Sequence, residues 1–288
     1  MIQEKVKVLA NTKLTPACWR LTLDNRSKIS LKIKPGQFIN LRITESMDPL
    51  FRRPFSVFRP LLLNSAEKGL EIVYKVVGRG TRKMTTLLPN DEVDILGPCG
   101  NGFWFEDNRE GYVLLGGGVG AAALYMLGEE IAKSQKGNLH VFLGGETKEA
   151  LILVNEFKTL KSNLHISTDD GTFGFRGVIT DLFRKSIEQG EIPPGSVVYA
   201  CGPEPMYGAL RPICEKYGFP AQISIERRMA CGMGICLSCI CKVRKEQVNK
   251  FRDLLHSHIQ FGDDDDFGYA LTCLDGPIFY LDEVILNE

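Results

Sequence analysis

The feature that most constrains this chain is a group of cysteines near its C-terminus. Cys231, Cys236 and Cys239 are spaced C-x4-C-x2-C, and Cys273 follows far downstream. Three cysteines at this spacing with a distant fourth form the plant-type pattern for a [2Fe-2S] cluster, in which four thiolates hold two irons. A carrier of single electrons needs a donor and an acceptor. We therefore expect the residues before Cys231 to hold whatever reduces or oxidises the cluster.

Two other interpretations of the cysteines are a zinc site and a set of unrelated buried thiols. Zinc usually takes paired C-x2-C units, and among the four only Cys236 and Cys239 form such a pair. Gly232 and Gly234 suit a loop that wraps closely round a cluster and points N–H groups at its sulfurs. The pattern therefore favours a [2Fe-2S] cluster.

The fourth ligand is predicted to be Cys273. It precedes the turn residues Asp275-Gly276-Pro277, which give it freedom to return to the other three. Cys241 is much nearer to Cys239, but a single intervening residue in a strand-like segment defines its reach poorly. Cys241 remains the alternative.

Composition excludes several classes of function. The 288 residues have room for two or three domains. Lys plus Arg and Asp plus Glu are both 35, so bulk charge predicts neither a nucleic acid nor an anionic membrane as partner. The sequence contains no apolar run of about 18 residues and no secretion signal at its start. We expect a cytoplasmic protein, in which nine cysteines indicate metal ligation or catalysis before disulfides.

Residues 1–108 read as an antiparallel β-barrel. Short, partly alternating apolar segments are separated by turn residues such as Asp24-Asn25 and Pro35-Gly36. Within this part, Arg53 and Ser56 share one strand, and Gly80-Thr81 follow another. An arginine and a serine on one strand, beside exposed backbone N–H groups, can bind a pyrophosphate and the edge of a ring attached to it. Taken alone, these residue types fit a solvent-exposed arginine and a hairpin turn at least as well.

Residues 109–221 alternate strands with helices, which predicts a Rossmann-like parallel sheet. The apolar strand Tyr112–Leu115 leads through a glycine-rich turn into a helix that begins with alanines. Glycines in this setting let the backbone approach a phosphate at a helix N-terminus. The spacing is not G-x-G-x-x-G, so a tight turn of any α/β domain is the alternative. The candidate phosphate-binding residues are Gly116, Gly117, Gly118 and Gly120.

Two further strand ends carry candidate residues. Glu146 follows the strand Leu139–Leu143, where an acid accepts hydrogen bonds from the ribose of NAD and disfavours NADP; a solvated loop acid is equally consistent. Cys201-Gly202-Pro203 follow the strand Ser196–Ala200. The Cys201 thiol is at a position that can touch a nicotinamide ring, although a buried structural cysteine is the default. We assign no other catalytic residue.

Several motifs together resemble one family. The motifs precede the cysteine loop, and the run Cys273–Phe279 follows it. In this order they resemble the electron-transfer subunit of dihydroorotate dehydrogenase B, which belongs to the ferredoxin-reductase-like flavoproteins. The resemblance spans nearly the whole chain. In order, the motifs are Arg53-Pro54-Phe55-Ser56, Gly78-Arg79-Gly80-Thr81, Gly97-Pro98-Cys99-Gly100-Asn101-Gly102-Phe103, Gly116-Gly117-Gly118-Val119-Gly120, Cys201-Gly202-Pro203 and Glu226-Arg227-Arg228-Met229-Ala230-Cys231.

The resemblance implies a multidomain β plus α/β fold with three cofactor sites. Residues 1–108 are expected to bind FAD, residues 109–221 NAD, and residues 222–288 the cluster. Arg53 and Ser56, with Pro54 and Phe55 between them, would contact the FAD phosphate and isoalloxazine. Gly80 and Thr81 would bind the FAD pyrophosphate, and the glycine-rich turn with Cys201-Gly202-Pro203 would hold NAD.

The function implied by the resemblance is electron transfer in pyrimidine biosynthesis. In such proteins an FMN-containing catalytic subunit oxidises dihydroorotate to orotate, and electrons run through the [2Fe-2S] cluster and FAD to NAD+. The flavin converts between single electrons and hydride. We expect this chain and the catalytic subunit to form a heterotetramer. The alternatives are a related NAD(P)H-dependent ferredoxin or sulfur-acceptor reductase subunit and, in another class, a zinc-stabilised binding module without redox activity.

The sequence departs from the family pattern in two places. The 33 residues between Cys239 and Cys273 are more than we expect, so we predict an insertion near residues 242–269. It includes a basic stretch, Lys242–Arg252, and the acidic run Asp263–Asp266, which we interpret as a solvated loop without a metal because a calcium site needs alternating ligands. The second departure is Ala121-Ala122-Ala123, where related reductases often carry prolines.

Overall fold

A computed structural model gives the fold of the chain. It describes residues 1–24, 29–44, 48, 50–62, 68–106, 108–134, 136–247, 258–262 and 266–286. Part of the predicted insertion lies outside these ranges, namely residues 248–257 and three of the four aspartates of the acidic run, 263–265.

The N-terminal part is a closed antiparallel barrel, as predicted. Its strands are β1 (Ile2–Lys13), β2 (Cys18–Asp24), β3 (Phe38–Arg42), β4 (Arg53–Leu62), β5 (Lys68–Lys75) and β6 (Glu92–Cys99), with helices α1 (Ile29–Lys32) and α2 (Arg79–Met84) between strands. The strand order round the barrel is β1-β2-β5-β4-β3-β6. Alternating residues such as Leu21 and Leu23 point inward and are fully buried, because successive side chains of a strand face opposite sides.

The middle part is an α/β layer built on a mainly parallel sheet, also as predicted. Its strands are β7 (Gly111–Gly117), β8 (Asn138–Gly145), β9 (Asn163–Thr168), β10 (Phe175–Arg176), β11 (Val197–Cys201) and β12 (Ala221–Ser224). The helices are α3 (Ala121–Ser134), α4 (Val154–Lys158), α5 (Ile179–Glu188) and α6 (Glu204–Tyr217), with single 3-10 turns at Gly118–Gly120 and Lys148–Ala150. Residues 112–115 of β7 are all buried, because helices cover both faces of a parallel sheet.

The last part of the chain contributes to two sheets. Its strands are β13 (Ile240–Arg244), β14 (Gln260–Phe261), β15 (Phe267–Leu271), β16 (Ile278–Tyr280) and β17 (Val284–Ile285). Four of them form an antiparallel sheet in the order β14-β15-β13-β17. The fifth, β16, pairs antiparallel with β12, so the central sheet has the order β10-β9-β8-β7-β11-β12-β16. The described residues of the predicted insertion thus include β14 and most of β13 and β15.

The strand order places a binding crevice. β7 pairs in parallel with β8 on one side and with β11 on the other, so the chain changes direction across the sheet at β7. Ligands of open α/β sheets bind at the carboxyl ends of the strands at this kind of switch point. The barrel packs beside it, and Phe58 of β4 lies 4.7 Å from Tyr125 of α3 between ring centroids.

No helix among the described residues is long and apolar enough to cross a membrane.

Candidate functional site

A cavity of about 350 Å³ lies where the three parts of the chain meet. Its walls come from barrel strands β3, β4 and β5, from the turn between β7 and α3, and from the segment that follows β12. Of the residues predicted from the sequence to bind FAD or NAD, seven line it: Arg53, Pro54, Phe55, Ser56, Thr81, Gly120 and Cys201. The fold thus brings together residues that are up to 148 positions apart in these motifs, counting from Arg53 to Cys201.

Gly80 lies behind the cavity wall, against the arginine. A Cβ atom added to Gly80 would be 3.2 Å from Nε of Arg53, so the glycine leaves room for the guanidinium. Nη1 of Arg53 donates to the backbone carbonyls of Phe51 and Arg52 at 2.7 and 3.2 Å. These bonds hold the arginine at the edge of the cavity, where a phosphate group can be reached.

The Thr81 side chain shapes its own turn. Its Oγ1 accepts the backbone N–H groups of Val77 and Gly78 at 2.9 and 3.0 Å and donates to the Gly78 carbonyl. The hydroxyl therefore satisfies N–H groups at the start of α2, as capping side chains do. Any contact of Thr81 with a ligand in the cavity would be made by the same residue that orders this turn.

The glycine-rich turn is a close approach of two backbones. A Cβ on Gly120 would lie 2.4 Å from the carbonyl oxygen of Cys201, which no side chain can tolerate. A Cβ on Gly117 would meet Met206 and Pro203 at 3.0 Å, and Gly118 has a φ of +55°. Gly120 lines the cavity, whereas Gly116 and Gly117 pack against α3 and α6. The tight turn of any α/β domain thus accounts for part of this motif.

Cys201 ends β11 inside the cavity wall and is fully buried. Burial raises the pKa of its thiol far above the usual range. Tyr207 is packed beside it; its hydroxyl donates to the Ser224 carbonyl at 2.6 Å and accepts the Gly202 N–H at 3.0 Å. Cys201 is therefore a neutral thiol that can make a contact, because a thiolate nucleophile needs a lowered pKa.

Sequence reasoning missed the polar residues that follow β12. Glu226 and Arg227 line the cavity, although they appeared in the sequence only as part of a motif. The Glu226 residue is exposed to solvent in part, yet desolvation by the surrounding protein raises the pKa of its carboxyl group. Arg227 forms a two-pronged ion pair with Glu204 at the start of α6, at 3.0 and 3.3 Å. An acid beside a base just before the cysteines was the only signal available.

Glu146 and Pro203 lie outside the cavity lining. Glu146 is exposed in the loop after β8, as expected of an acid beyond a strand end. Pro203 is exposed and precedes α6, and Gly202 is half-buried beside Gly117. Glu146 thus follows the carboxyl end of β8, and Gly202 and Pro203 follow the carboxyl end of β11, whose last residue lines the cavity.

The cysteine loop directs N–H groups at sulfur. Sγ of Cys231 accepts the backbone N–H groups of Met233, Ile235 and Cys236 at 3.4 to 3.5 Å. Gly232 and Gly234 have φ values of +67° and +85°, which side chains rarely adopt. The two glycines thus permit the tight curl that the sequence predicted.

The thiols lie in two pairs. Cys231 and Cys236 are linked by the N–H contacts of the loop, and hydrogen bonds from Ser238 and the Cys231 segment lower the pKa of Cys236 to about 6. Cys239 and Cys273 form the second pair; the hydrogen bond from the Cys273 thiol lowers the pKa of Cys239 to about 6 and raises that of Cys273. Thiolates form easily at Cys236 and Cys239, one in each pair, and metal ligation requires thiolates.

Cys241 lies elsewhere. Its side chain is buried in the core between the four-stranded sheet and the central sheet, with Val243 and Phe279. Cys239 and Cys273 belong to a different buried cluster, which also contains Phe38 and Cys99. Cys239 lies just before β13, whereas Cys241 is the second residue of that strand. Residues two apart share a face only within one strand, so the two thiols need not point to the same side.

The arrangement of the thiols fits a two-iron cluster. Such a cluster takes two thiolates on each iron, which matches the two pairs.

Phe38 belongs to both the cavity and the thiol region. It lines the cavity, and it is a member of the buried cluster that contains Cys239 and Cys273. Met229 does both as well. The cavity and the thiol cluster therefore share these two side chains.

Two family models match the chain. Residues 226–252 match the iron–sulfur cluster binding domain of dihydroorotate dehydrogenase B. Residues 114–211 match the oxidoreductase NAD-binding domain. The first match covers three of the four cysteines, and the second covers the strands and glycine turn of the crevice.

Curated relatives are similar over their full length. The electron transfer subunit of dihydroorotate dehydrogenase B (NAD(+)) from Bacillus caldolyticus is 33% identical over 288 residues, with 99% of both chains covered. The protein of the same name from Caldanaerobacter subterraneus subsp. tengcongensis is 34% identical over 281 residues, with 98% of both covered.

Solved structures share the fold. An NADH-dependent reduced ferredoxin-NADP oxidoreductase, described for flavin-based electron bifurcation, is 26% identical with a TM-score of 0.78, covering 98% of this chain and 90% of its own. A ferredoxin NADP+ reductase from Neisseria gonorrhoeae, with bound FAD and NADP, is 20% identical with a TM-score of 0.63, covering 75% of this chain and 92% of its own. The second likeness is one of fold alone.

Proposed function

This chain belongs to the family of dihydroorotate dehydrogenase B electron transfer subunits, and from that membership we propose that it carries electrons from a separate FMN-containing catalytic subunit through a [2Fe-2S] cluster and FAD to NAD+. The observation that carries this proposal is that Phe38 both lines the cavity and belongs to the buried cluster that contains Cys239 and Cys273. The chain is thus an oxidoreductase subunit, and the oxidation of dihydroorotate belongs to its partner.

We assign the cavity to the flavin. A bound flavin exchanges electrons either singly or as hydride. A nicotinamide transfers only hydride, and an iron–sulfur cluster transfers only single electrons. Arg53 and Thr81 would hold the phosphate end with Gly80, and Ser56, Pro54 and Phe55 would lie along the ring. Phe38 and the apolar residues around it would exclude water from the side that faces the cysteines.

We assign the crevice beyond the cavity to NAD. Gly116, Gly117, Gly118 and Gly120 would let the diphosphate approach the start of α3, and Cys201-Gly202-Pro203 would border the nicotinamide. The neutral Cys201 thiol fits a positioning contact, since its raised pKa keeps the proton on sulfur. Glu146 would accept hydrogen bonds from the ribose hydroxyls, which favours NAD over NADP.

We assign the cluster to Cys231, Cys236, Cys239 and Cys273. The two thiol pairs and the N–H groups directed at Cys231 support this set. The ranges 1–108, 109–221 and 222–288 are proposed as the FAD, NAD and cluster domains; β16, from the third, completes the sheet of the second.

We propose that the catalytic subunit docks on the cysteine loop, in a heterotetramer. Cys236 is exposed, and Ile235, Leu237 and Ile240 around it are 75%, 59% and 44% exposed. Exposed apolar residues gathered at one site mark a protein contact surface. A cytoplasmic location is proposed on the nine free cysteines, which suit a reducing compartment.

The test begins with the purified chain under anaerobic conditions. We expect FAD, iron and acid-labile sulfide, with NADH-dependent reduction of a dye and no oxidation of dihydroorotate. Adding the dihydroorotate dehydrogenase catalytic subunit from the same organism should restore NAD+-linked orotate formation and yield a stable complex. Orotate formation by the chain alone, or one zinc ion without iron, would contradict the proposal.

A ferredoxin or sulfur-acceptor reductase is the second candidate, because the bifurcating oxidoreductase covers 98% of this chain at 26% identity. The partner separates the two functions. Co-purification with a dihydroorotate dehydrogenase catalytic chain favours the first, and rapid reduction of ferredoxin without such a partner favours the second.

A further inference from the structure

The loop of residues 231–236 and the turn of residues 273–278 together form what we call the cysteine cradle. We propose that the side-chain amides of Asn40 and Asn101 hold these two halves of the cradle against the flavin cavity. They would thereby set the distance that electrons cross between flavin and cluster. Both are positioning residues, since neither lines the cavity nor belongs to the four thiols. The inference rests on the electron route of the proposed function and adds the residues that determine its length.

Asn101 holds the turn that follows Cys273. Its Nδ2 donates to the backbone carbonyls of Asp275 and Ile278 at 2.8 and 2.9 Å, and its Oδ1 accepts the Ile278 N–H at 2.9 Å. Its own backbone N–H donates to the Gly276 carbonyl at 2.7 Å. Asn101, just after β6, thus forms hydrogen bonds with four backbone groups of a segment that lies more than 170 positions further along the chain.

The turn transmits this grip to the thiol. The Asp275 carboxylate accepts the N–H groups of Leu271 and His258 at 2.7 and 2.8 Å, so the turn is closed round Cys273. The Thr272 N–H donates to the backbone carbonyl of Cys239 at 3.0 Å, which joins the backbones of the two segments that carry Cys273 and Cys239. Movement of the turn would therefore move Cys273 and Cys239 together.

Asn40 holds the other half of the cradle. It is 1% exposed in the middle of β3, and its Nδ2 donates to the Gly232 carbonyl at 3.2 Å and contacts Sγ of Cys99 at 3.4 Å. Gly232 lies between Cys231 and Cys236, in the loop whose N–H groups point at sulfur. A buried amide of the barrel thus contacts the backbone of the loop directly.

Both contacts are close approaches that leave no room for slippage. A Cβ on Gly232 would lie 2.3 Å from the Asn40 amide, and a Cβ on Gly100 would lie 2.5 Å from Pro277. The barrel therefore meets the cradle backbone at two glycines, one in each part of the chain.

The clamp shares its strands with the cavity wall. Asn40 is two residues from Phe38 on β3, and Phe38 pairs with Cys99 on β6, two residues before Asn101. Because Phe38 belongs to both the cavity wall and the thiol cluster, the same two strands hold the flavin side and the cluster side of the gap. Reacting groups must be held within a fraction of an ångström, and a shift of about 1 Å can cost on the order of a hundredfold in rate.

The test compares Asn40→Ala, Asn101→Ala and Asn101→Asp with the unaltered protein, each loaded with FAD and cluster. The aspartate keeps an acceptor for Ile278 and loses the two donated bonds. Rapid mixing with NADH follows flavin bleaching, and freeze-quenched electron paramagnetic resonance follows reduction of the cluster. We expect flavin reduction within about twofold of the unaltered rate and cluster reduction slower by roughly tenfold or more.

A second readout is independent of turnover. Backbone amide hydrogen exchange of residues 230–236 should rise in the Asn40 variant, and that of residues 272–278 in both Asn101 variants, with and without the cluster. This measurement decides the matter for any variant that loses its iron.

Gln222→Ala is the matched control. Gln222 is a fully buried amide of β12 that donates to the Trp104 carbonyl at 2.8 Å and accepts the Trp104 N–H at 2.9 Å. Its backbone pairs with Tyr280, and its two side-chain bonds end on Trp104, outside residues 230–236 and 272–278. It should leave cluster reduction and exchange at 230–236 and 272–278 unchanged. The clamp is refuted by unaltered exchange and cluster reduction in the asparagine variants, or by an equal slowing in the control. If NADH fails to reduce the cluster of the unaltered protein, the proposed function fails, and the exchange data still judge the clamp.

Discussion

Phe38 lies directly opposite Ser56 in the antiparallel pairing of β3 with β4. Both residues line the cavity, and Phe38 also belongs to the buried cluster that contains Cys239 and Cys273. One pair of opposite residues in the barrel thus carries a proposed flavin contact and a side chain shared with the thiol cluster. The predictions below follow from this arrangement and from the residues around it.

Shortening Phe38 should loosen the wall. We expect Phe38→Leu to lower the free energy of unfolding by about 1–3 kcal/mol, because a buried ring is replaced by a smaller side chain. It should also slow NADH-driven reduction of the cluster, measured by rapid mixing. Phe219→Leu, in a separate core, is the control: it should lower stability alike and leave that rate unchanged. Equal rates in all three proteins would contradict the role of Phe38.

Replacing single cysteines should identify the fourth ligand. We expect Cys273→Ser to lose most of its iron and acid-labile sulfide, because Cys273 is paired with Cys239. Cys241→Ala should keep both at the level of the unaltered protein, with a stability loss of about 1 kcal/mol from the vacated volume in its core. The measurement is iron and sulfide per chain. Loss of iron on changing Cys241, with Cys273 dispensable, would reverse the assignment.

A methyl group on Gly120 should damage the crevice. The added Cβ would lie 2.4 Å from the Cys201 carbonyl oxygen, so the backbones of the turn and of β11 must separate. We expect Gly120→Ala to cost about 1–3 kcal/mol of stability and to raise KM for NADH. Gly208→Ala, on α6 with open space around it, should be neutral or stabilising by up to about 1 kcal/mol. Thermal unfolding and steady-state kinetics make the comparison.

Removing the acid after β8 should relax the choice of dinucleotide. Glu146 is exposed near the proposed ribose site, and a unit charge about 4 Å from a phosphate charge is worth about 1 kcal/mol even in water. We expect Glu146→Ser to raise kcat/KM for NADPH relative to NADH by roughly five- to tenfold. Glu149→Ser, in the same loop, should leave the ratio unchanged. An unaltered ratio in both would place the selectivity elsewhere.

A buried histidine, His140, and its partly buried neighbour His165 should make stability fall in mild acid. His140 Nδ1 lies 3.3 Å from His165 Nε2. Burial lowers the pKa of both below the usual 6.5, and the charge of His165 lowers that of His140 further. The unfolded chain therefore takes up protons near pH 6.5 that the folded chain takes up only at lower pH. The stability that the pair contributes is full above this pH and is lost as the pH falls.

The histidine effect is measured by denaturant unfolding from pH 7.5 to pH 5. The free energy of unfolding should fall with pH, and it should fall less in the double variant His140→Gln/His165→Gln. His258→Gln, which changes an exposed side chain, should retain the slope of the unaltered protein. A slope that survives the double variant would assign it to other groups.

Much of the fold was predictable from local pattern. Alternating segments between turn residues predicted the barrel, and strand–helix alternation predicted the parallel sheet; both are confirmed. The pairing of β16 with β12 was not predicted, because three residues following a turn carry no signal of which sheet they join. The assignments of single site residues stay predictions, although the fold brings seven of them to one cavity.

The sequence by itself predicted the cofactors of this protein. Cysteine spacing and glycine positions are informative because they concern short loops, in which the geometry is limited by the few residues of the loop itself. Only the tertiary structure decided which residues meet across it. Cys273 lies with Cys239 and Cys241 does not, since β13 begins between them. Asn40, Asn101, Phe38 and Glu226 reach their sites through packing between parts of the chain far apart in sequence, which no local pattern encodes.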